Sequence, residues 1–416
     1  MIKKIKVKNF KSFKDLELSL GKVNILIGAN ASGKSNFVQI FKFLRDISMF
    51  GLENAISMQD GIEYLSNINI GSSETFSLEI TYGQEILKTI IDGFLPQGIK
   101  LTEIVYNLTI ASGNNKSKYT LIEDSSTLRY TLPESEQQND PTNGKRTKLV
   151  EITISNVKGQ LHIKFNPSDW LKEEDKGRIS QILFGLMPLR ELHLSESIVL
   201  GDKFFGYSWQ SISVYDFDPK PSKMAFPIAG KADLEEDGRN LVIVVKNILS
   251  DPEKKRMFLN LVNYLLPYVK DIEVDKFTET YLYLKINEIY SEKQYLPASL
   301  ISDGTINALG LIVALYFQES PLIIIEEPDR GFHPSLISSV IDMMRDAAEY
   351  GNKQIIVTTH NPEMVRHADP KNILLVSRNE KGFSSIKKPY RKKDVKIFLE
   401  NGMRLSDLYV DELLEI

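Results

Sequence analysis

Apolar and polar positions sort the chain into stretches with different rhythms. Near the start Ile5 and Val7 alternate with lysines, which predicts a strand with one buried face. Two more strands follow, Leu16 to Leu20 and Val23 to Ile27; the second is apolar on both faces, as in the centre of a sheet. Phe37, Ile40, Phe41 and Leu44 recur at helical spacing and predict a helix from Lys34 to about Ile47. From about Ser73 to Phe165 the period becomes two. "TFSLEITYG", "EIVYNLTIAS", "KYTLIED", "KLVEITISN" and "QLHIKFN" read as a meander of short antiparallel strands. "PESEQQNDPTNGKRTK" (Pro133 to Lys148) is nearly free of apolar residues and reads as a mobile loop. Helices are predicted over Ser168 to Leu186 and Arg239 to Lys270, after which "DIEVDKF" and "TYLYLKINEI" return to strand. The last third alternates: "GTINALGLIVALYFQ" and "PSLISSVIDMMRDAAEYG" as helices, "PLIIIEEP", "KQIIVTTH" and "NILLVSR" as strands. This is α/β grammar with a mainly parallel sheet. No heptad pattern lasts three or four turns, so no long coiled coil is expected. The predicted organisation is a head assembled from residues 1–72 and 291–416, with a strand-rich subdomain (73–166) and a mainly helical insertion (167–290) between them.

Composition narrows the function classes. The 416 residues are 42% hydrophobic and 25% charged, which is ordinary for a globular protein. Cysteine is absent, which excludes disulfides, thiolate zinc sites and cysteine nucleophiles. No apolar window approaches the length of a membrane span, and "MIKKIKVKNFKSF" has no signal-peptide core, so a cytoplasmic protein without membrane attachment is expected. The net charge of −4 gives no general attraction to nucleic acid. "KGFSSIKKPYRKKDVK" (Lys381 to Lys396) is the densest basic run; a solvated charged face is its simpler reading, and it leaves direct nucleic-acid contact open.

Candidate chemistry begins at "IGANASGKSN". Gly28 and Gly33 bracket Ala29, Asn30, Ala31 and Ser32, and Lys34, Ser35 and Asn36 follow, which satisfies G-x-x-x-x-G-K-[ST] between a strand and a helix. Glycines at these points let successive N–H groups turn inward on phosphate oxygens. Lys34 would then reach the β- and γ-phosphates of ATP, and the Ser35 hydroxyl would bind Mg²⁺. Ala31 stands where glycine is commoner; alanine is still small, so the loop is expected to form if its φ there is negative. Such a loop needs a carboxylate at the end of a neighbouring buried strand. "LIIIEEP" supplies two: Glu326 for the Mg²⁺ shell, through water, and Glu327 to orient or deprotonate the attacking water. His360 in "TTHNP" closes another strand, where ligands bind in open α/β sheets, and could hydrogen-bond the γ-phosphate and that water. Ser302, Asp303, Gly304 and Thr305 open a helix and form a small polar N-terminus, which alone reads as an ordinary cap.

In this order, P-loop, "SDGT", "IIIEEP" and "TTH" resemble an ABC-type ATPase head. "NFKSF" and "DRGFHPS" resemble the RecF/SMC-like group, and within it the compact ATPases related to the OLD family, of the kind found in PARIS-like anti-phage systems. "DGRNLVIVVKNIL" and the closing "RLSDLYVDELLEI" are similar to stretches of those stand-alone ATPases. The resemblance implies that Ser302 to Thr305 replace the ABC signature and meet the γ-phosphate held by a second copy, so that two heads sandwich two ATPs. It also implies a basic residue near the nucleotide at Lys11, and makes Gln59 the nearest candidate for the Q-loop glutamine. The function it implies is an ATP-hydrolysing switch governing a separately encoded effector, nuclease or toxin-like, in prokaryotic anti-phage defence. Only 56 residues follow His360, fewer than a Toprim nuclease would need. Acids in the middle, such as Glu79, Glu103 and Glu151, lie in alternating strands and read as an outer face. A RecF-like repair ATPase that binds DNA directly, and a nucleotide-gated scaffold with little turnover, are the alternatives.

Overall fold

The computed structural model describes residues 1–71, 74–83, 99–112, 119–133, 147–157, 160–185, 209–291, 294–401, 403–411 and 413. The interior of the Pro133–Lys148 loop therefore lies outside the described residues, as does much of the closing "DELLEI". The chain divides into two compact units. The first comprises Met1–Leu20, Gln39–Ser211 and Arg378–Ser385; the second comprises Gly21–Val38, Ile212–Ser377 and Ile386–Ile416.

Strands β1 (Ile2–Phe10) and β2 (Phe13–Ser19) open the first unit, β3 (Val23–Ile27) belongs to the second, and β4 (Phe76–Gly83), β5 (Lys100–Ser112), β6 (Tyr119–Pro133), β7 (Thr147–Val157) and β8 (Gln160–Asn166) complete the first. They pair in the order β2-β1-β4-β5-β6-β7-β8, every neighbour antiparallel. The predicted alternation holds in β1, where Ile5 and Val7 are fully buried. The opposite face carries cross-strand charge pairs, Lys6 with Glu79 at 2.8 Å and Arg129 with Glu103 and Glu151 at 3.3 and 2.9 Å. The three acids read as outer-face residues are thus ion-paired there. Phe10, Phe43 and Phe76 meet at centroid distances of 5.6–6.4 Å in the core of this unit. Asn9, in a left-handed conformation (φ 53°), accepts a hydrogen bond from the Asn67 amide and donates to the Glu74 carbonyl. In "NFKSF" the asparagine therefore pins a loop.

The second unit is built on five parallel strands. To β3 it adds β9 (Ile212–Tyr215), and further along β14 (Leu322–Glu326), β15 (Gln354–Thr359) and β16 (Ile373–Arg378), in the order β16-β3-β15-β14-β9. Every residue of β3 and β15 is buried, as a parallel sheet covered on both faces requires. The covering Asp303–Tyr316 helix is buried from Thr305 to Leu315, which accounts for its nearly uniform apolar sequence. A smaller antiparallel sheet, formed between β9 and β14 in the chain, pairs β12 (Tyr281–Glu288) with β10 (Phe226–Pro227), β11 (Val269–Thr278) and β13 (Tyr295–Pro297). The helical stretch expected over Arg239–Lys270 consists of two helices, Leu241–Ser250 and Pro252–Leu265, and ends early, because Val269 already begins a strand. Pro252 has no N–H to continue the first helix. Asp251 is extended and caps the second, accepting from the amides of Glu253 and Lys254. The helix expected to begin at Ser168 begins at Glu173. β9 was not foreseen: four residues of "ISVY" give too short an alternation to separate from a loop.

Candidate active site

The parallel register brings the motifs to one edge of the sheet. Glu326 pairs with Thr358 across β14 and β15, and Thr359 pairs with Ile27 across β15 and β3. Gly28, Glu327 and His360 each follow directly on those strands, at the carboxyl ends where open α/β sheets bind ligands.

The two loop glycines serve different needs. A Cβ on Gly28 would lie 2.2 Å from the Val376 carbonyl oxygen and 2.8 Å from Ser32 Oγ, so this position demands close approach. Gly33 is required by its φ of 115°. Ala31 corrects an expectation: its φ is 61°, not negative, and the loop forms with an alanine held left-handed at a cost of about 1–2 kcal/mol. Ala29, Asn30 and Ala31 are exposed or border solvent, whereas Ser32 and Lys34 are buried. Lys34 Nζ donates to the carbonyls of Gly28 (2.8 Å) and Ala29 (2.9 Å). Burial pushes its pKa down, opposed by Glu327 and then Glu326. Ser35 and Asn36 lie in the first turn of the Lys34–Phe50 helix.

Ser35 Oγ donates to Glu326 Oε2 at 2.8 Å. One hydroxyl beside one carboxylate suits Mg²⁺ whose octahedral shell is otherwise filled by phosphate oxygens and waters. The residues present therefore fit both a nucleotide triphosphate and its metal: Lys34 and the loop amides for phosphate, Ser35 and Glu326 for the cation. When bound, Mg²⁺ would neutralise charge on the transferring phosphoryl group.

Glu327 has φ 47°, a left-handed conformation for a residue that rarely adopts it, and its amide donates to the Thr358 carbonyl at 2.9 Å. His360 Nδ1 lies 3.0 Å from Glu327 Oε1. An ionised carboxylate only accepts, so the proton sits on Nδ1, and Nε2 of a neutral ring is left as an acceptor. Burial raises the Glu327 pKa, but hydrogen bonds and charge from Arg330 and His360 outweigh it, and the net direction is down. Thr359 Oγ1 donates to buried Asp329 at 3.0 Å, tying the loop after β14 to the end of β15.

Ser302 caps the Asp303–Tyr316 helix through the Thr305 amide (3.1 Å). Ser302 and Asp303 are exposed, and Asp303 pairs with Lys223. Thr305 is buried, its hydroxyl 2.6 Å from Ser302 Oγ and 2.9 Å from the Tyr268 hydroxyl. A Cβ on Gly304 would meet the Gly331 carbonyl at 2.3 Å. Lys11 and Gln59 belong to the first unit. Lys11 has φ 45°, and burial lowers its pKa against an opposing Asp60; Gln59 is buried and donates to Gln39 at 3.4 Å. Arg330 and Asp216, which contact the Glu327 carboxylate directly or at one remove, were not singled out from the sequence. The i,i+3 spacing of Glu327 and Arg330 was the available signal.

Strand, glycine loop, helix, and a paired acidic strand end on a parallel sheet define a P-loop ATPase, an ATP hydrolase by class. The chain belongs to the family described as "AAA domain, putative AbiEii toxin, Type IV TA system", whose profile matches residues 23–366. It is similar to an "ATP/GTP phosphatase" of Helicobacter pylori, 24% identical over 382 residues, covering 89% of this chain and 88% of the relative. Among solved structures it is similar to an Smc head bound to the C-winged helix domain of ScpA, at 16% identity and a TM-score of 0.47, covering 93% of this chain and 96% of that one. It is also similar to an Smc head with an extended coiled coil bound to the C-terminal domain of ScpA from Pyrococcus furiosus, at 16% identity and a TM-score of 0.46, covering 97% and 99%. Among the described residues no helix is long and apolar enough to cross a membrane.

Proposed function

We propose that this chain is an ATP-driven switch that closes as a pair of copies and governs a separate effector protein, in the manner of the OLD-related anti-phage ATPases. The observation that carries the reading is the pairing of Ser35 with Glu326 and of Glu327 with His360 at the ends of adjacent parallel strands. In this scheme Lys34 holds the β- and γ-phosphates, and Ser35 and Glu326 hold Mg²⁺. Glu327 accepts the proton of the attacking water, and His360 accepts a hydrogen bond from that water through Nε2 or, when its ring is protonated, donates to the γ-phosphate. The exposed Ser302–Asp303 corner offers hydroxyl and backbone donors to the γ-phosphate on a second copy. That contact exists only in the closed, ATP-bound state, which is the difference a nucleotide switch needs. The ATP/GTP phosphatase activity named for the Helicobacter pylori relative agrees with nucleotide hydrolysis.

Sedimentation velocity with and without ATP tests the pairing. ATP should shift the chain toward a dimer, and Ser302→Arg should block that shift while leaving ATP binding intact. Each composite site takes its P-loop from one copy and its signature from the other. Mixing Ser302→Arg with Lys34→Ala chains therefore puts both lesions in one site and none in the other, and some hydrolysis should return. Mixed dimers without recovery, or hydrolysis by the monomer, would contradict the sandwich.

A further inference from the structure

The Glu327 side chain is held more tightly than a strand-end glutamate needs to be. Arg330 aims two N–H groups at one of its oxygens: Nε lies 3.2 Å and Nη2 3.1 Å from Oε2. A carboxylate oxygen offers about two lone-pair directions, so these bonds occupy Oε2. Oε1 takes one bond from His360 Nδ1 and keeps one direction for another donor.

The guanidinium is itself fixed from other sides. Nη2 also contacts Asp216 Oδ1 at 3.2 Å, just beyond β9, and Nη1 donates to the Phe217 carbonyl at 3.2 Å. The Arg330 backbone carbonyl accepts from Asn307 Nδ2 at 2.9 Å, on the helix that Ser302 caps. Gly331, at φ 80°, packs its backbone against Gly304 at the start of that helix. Arg330 is about half exposed, as is Asp216, so their ion pair adds little to folding stability. Its effect falls on orientation: it holds a residue whose backbone is already in a strained conformation.

We infer that Arg330 is a positioning residue for ATP hydrolysis, fixing Oε2 of Glu327 so that Oε1, beside His360, is the atom that takes the proton of the attacking water. Asp216 and the Phe217 carbonyl hold the guanidinium in the plane this requires. The inference rests on the reading of Glu327 as the base. Because the same residue is bonded to the signature helix through Asn307, movement of that helix would be passed to the glutamate.

Steady-state ATP hydrolysis and binding of a fluorescent ATP analogue, measured on the full chain for Arg330→Ala, Arg330→Lys, Asp216→Asn, Glu327→Gln and Arg330→Ala/Glu327→Gln, test it. Arg330→Ala should bind the analogue within about twofold of wild type and lose about ten- to a hundredfold in kcat, the scale of a misplaced catalytic group. Arg330→Lys should recover part of this, since an ammonium supplies charge without the fork. Asp216→Asn should show a smaller loss of the same kind. The double variant should be no slower than Glu327→Gln alone, because Arg330 acts through that residue. A wild-type kcat in Arg330→Ala, a further loss in the Glu327→Gln background, or a loss of binding matching the loss of kcat would overturn the proposal. Wild-type hydrolysis by Glu327→Gln would bring down the reading beneath it as well. An inactive Glu327→Gln beside an unaffected Arg330→Ala would remove Arg330 alone.

Discussion

Adding one methyl group at Gly28 tests the P-loop where the geometry is least forgiving. The Cβ of Gly28→Ala would stand 2.2 Å from the Val376 carbonyl oxygen and 3.2 Å from its carbon. Ordinary contact is about 3.4 Å or more, so roughly 1 Å of movement is needed. Val376 lies in β16, which is locked to β3 through Ile373–Ile25, Leu374–Leu26 and Leu375–Ile27. The carbonyl is backbone and cannot rotate away. On the other side Ser32 Oγ, at 2.8 Å, would have to turn. Overpacking of this kind costs about 1–3 kcal/mol, and a sheared ladder bond adds about 1 kcal/mol. If the loop yields first, the carbonyls of Gly28 and Ala29 that hold Lys34 Nζ move with it. The expected result is a modest loss of thermal stability with at least a tenfold loss of ATP affinity, each about 1.4 kcal/mol per factor of ten. Thermal unfolding followed by circular dichroism, and titration with a fluorescent ATP analogue, read the two effects separately. Wild-type affinity in a stably folded Gly28→Ala would refute the argument that this glycine is demanded by close approach within a phosphate cradle.

Lys34→Ala should lower ATP affinity by at least about a hundredfold, since it removes the one loop ammonium and its charge-assisted bonds; the same titration checks it. Lys353 is buried and donates to the carbonyls of Leu315 and Gln318, closing the end of the Asp303–Tyr316 helix. Lys353→Met should therefore lower stability by about 2 kcal/mol, because it leaves the Leu315 and Gln318 carbonyls without their donor; a denaturant midpoint unchanged from wild type would contradict this. Burial pushes the Lys353 pKa down to about 8. Since the unfolded chain would still hold that proton above this value, the group's unfavourable contribution should fade as pH rises from about 8 toward its ordinary value.

Where residues announce themselves by type and neighbours, the sequence was readable. The glycines, Lys34 and Ser35 follow an apolar strand, the two glutamates end another, and a parallel sheet brings such ends together whatever the rest of the chain does. The lengths of β3 and β14 followed from short apolar runs, broken in β3 only by Asn24, that end in glycine or charge. Contacts that depend on crossings were not readable. Asp216 reaches Arg330 only because β9 joins the edge of the sheet beside β14, and four residues do not reveal a strand. Ala31 shows another limit: a negative φ is the expected condition for the loop, the loop forms at φ 61°, and a positive φ leaves no mark in the sequence when the residue is not glycine. The break within the helical stretch of Arg239–Lys270 has a local cause that is on view in the sequence, the Asp-Pro pair at 251–252.

The central claim is that Glu327 takes the proton from water while Lys34, Ser35 and Glu326 hold the nucleotide and its metal. The most direct measurement is the phosphate-release rate of Glu327→Gln beside its affinity for ATP with Mg²⁺ present. An amide has the size of the carboxylate and cannot accept the proton, so ATP should bind within a few-fold of wild type while release falls about 10²–10⁴-fold. Release at the wild-type rate, or loss of ATP binding in step with loss of turnover, would contradict the account.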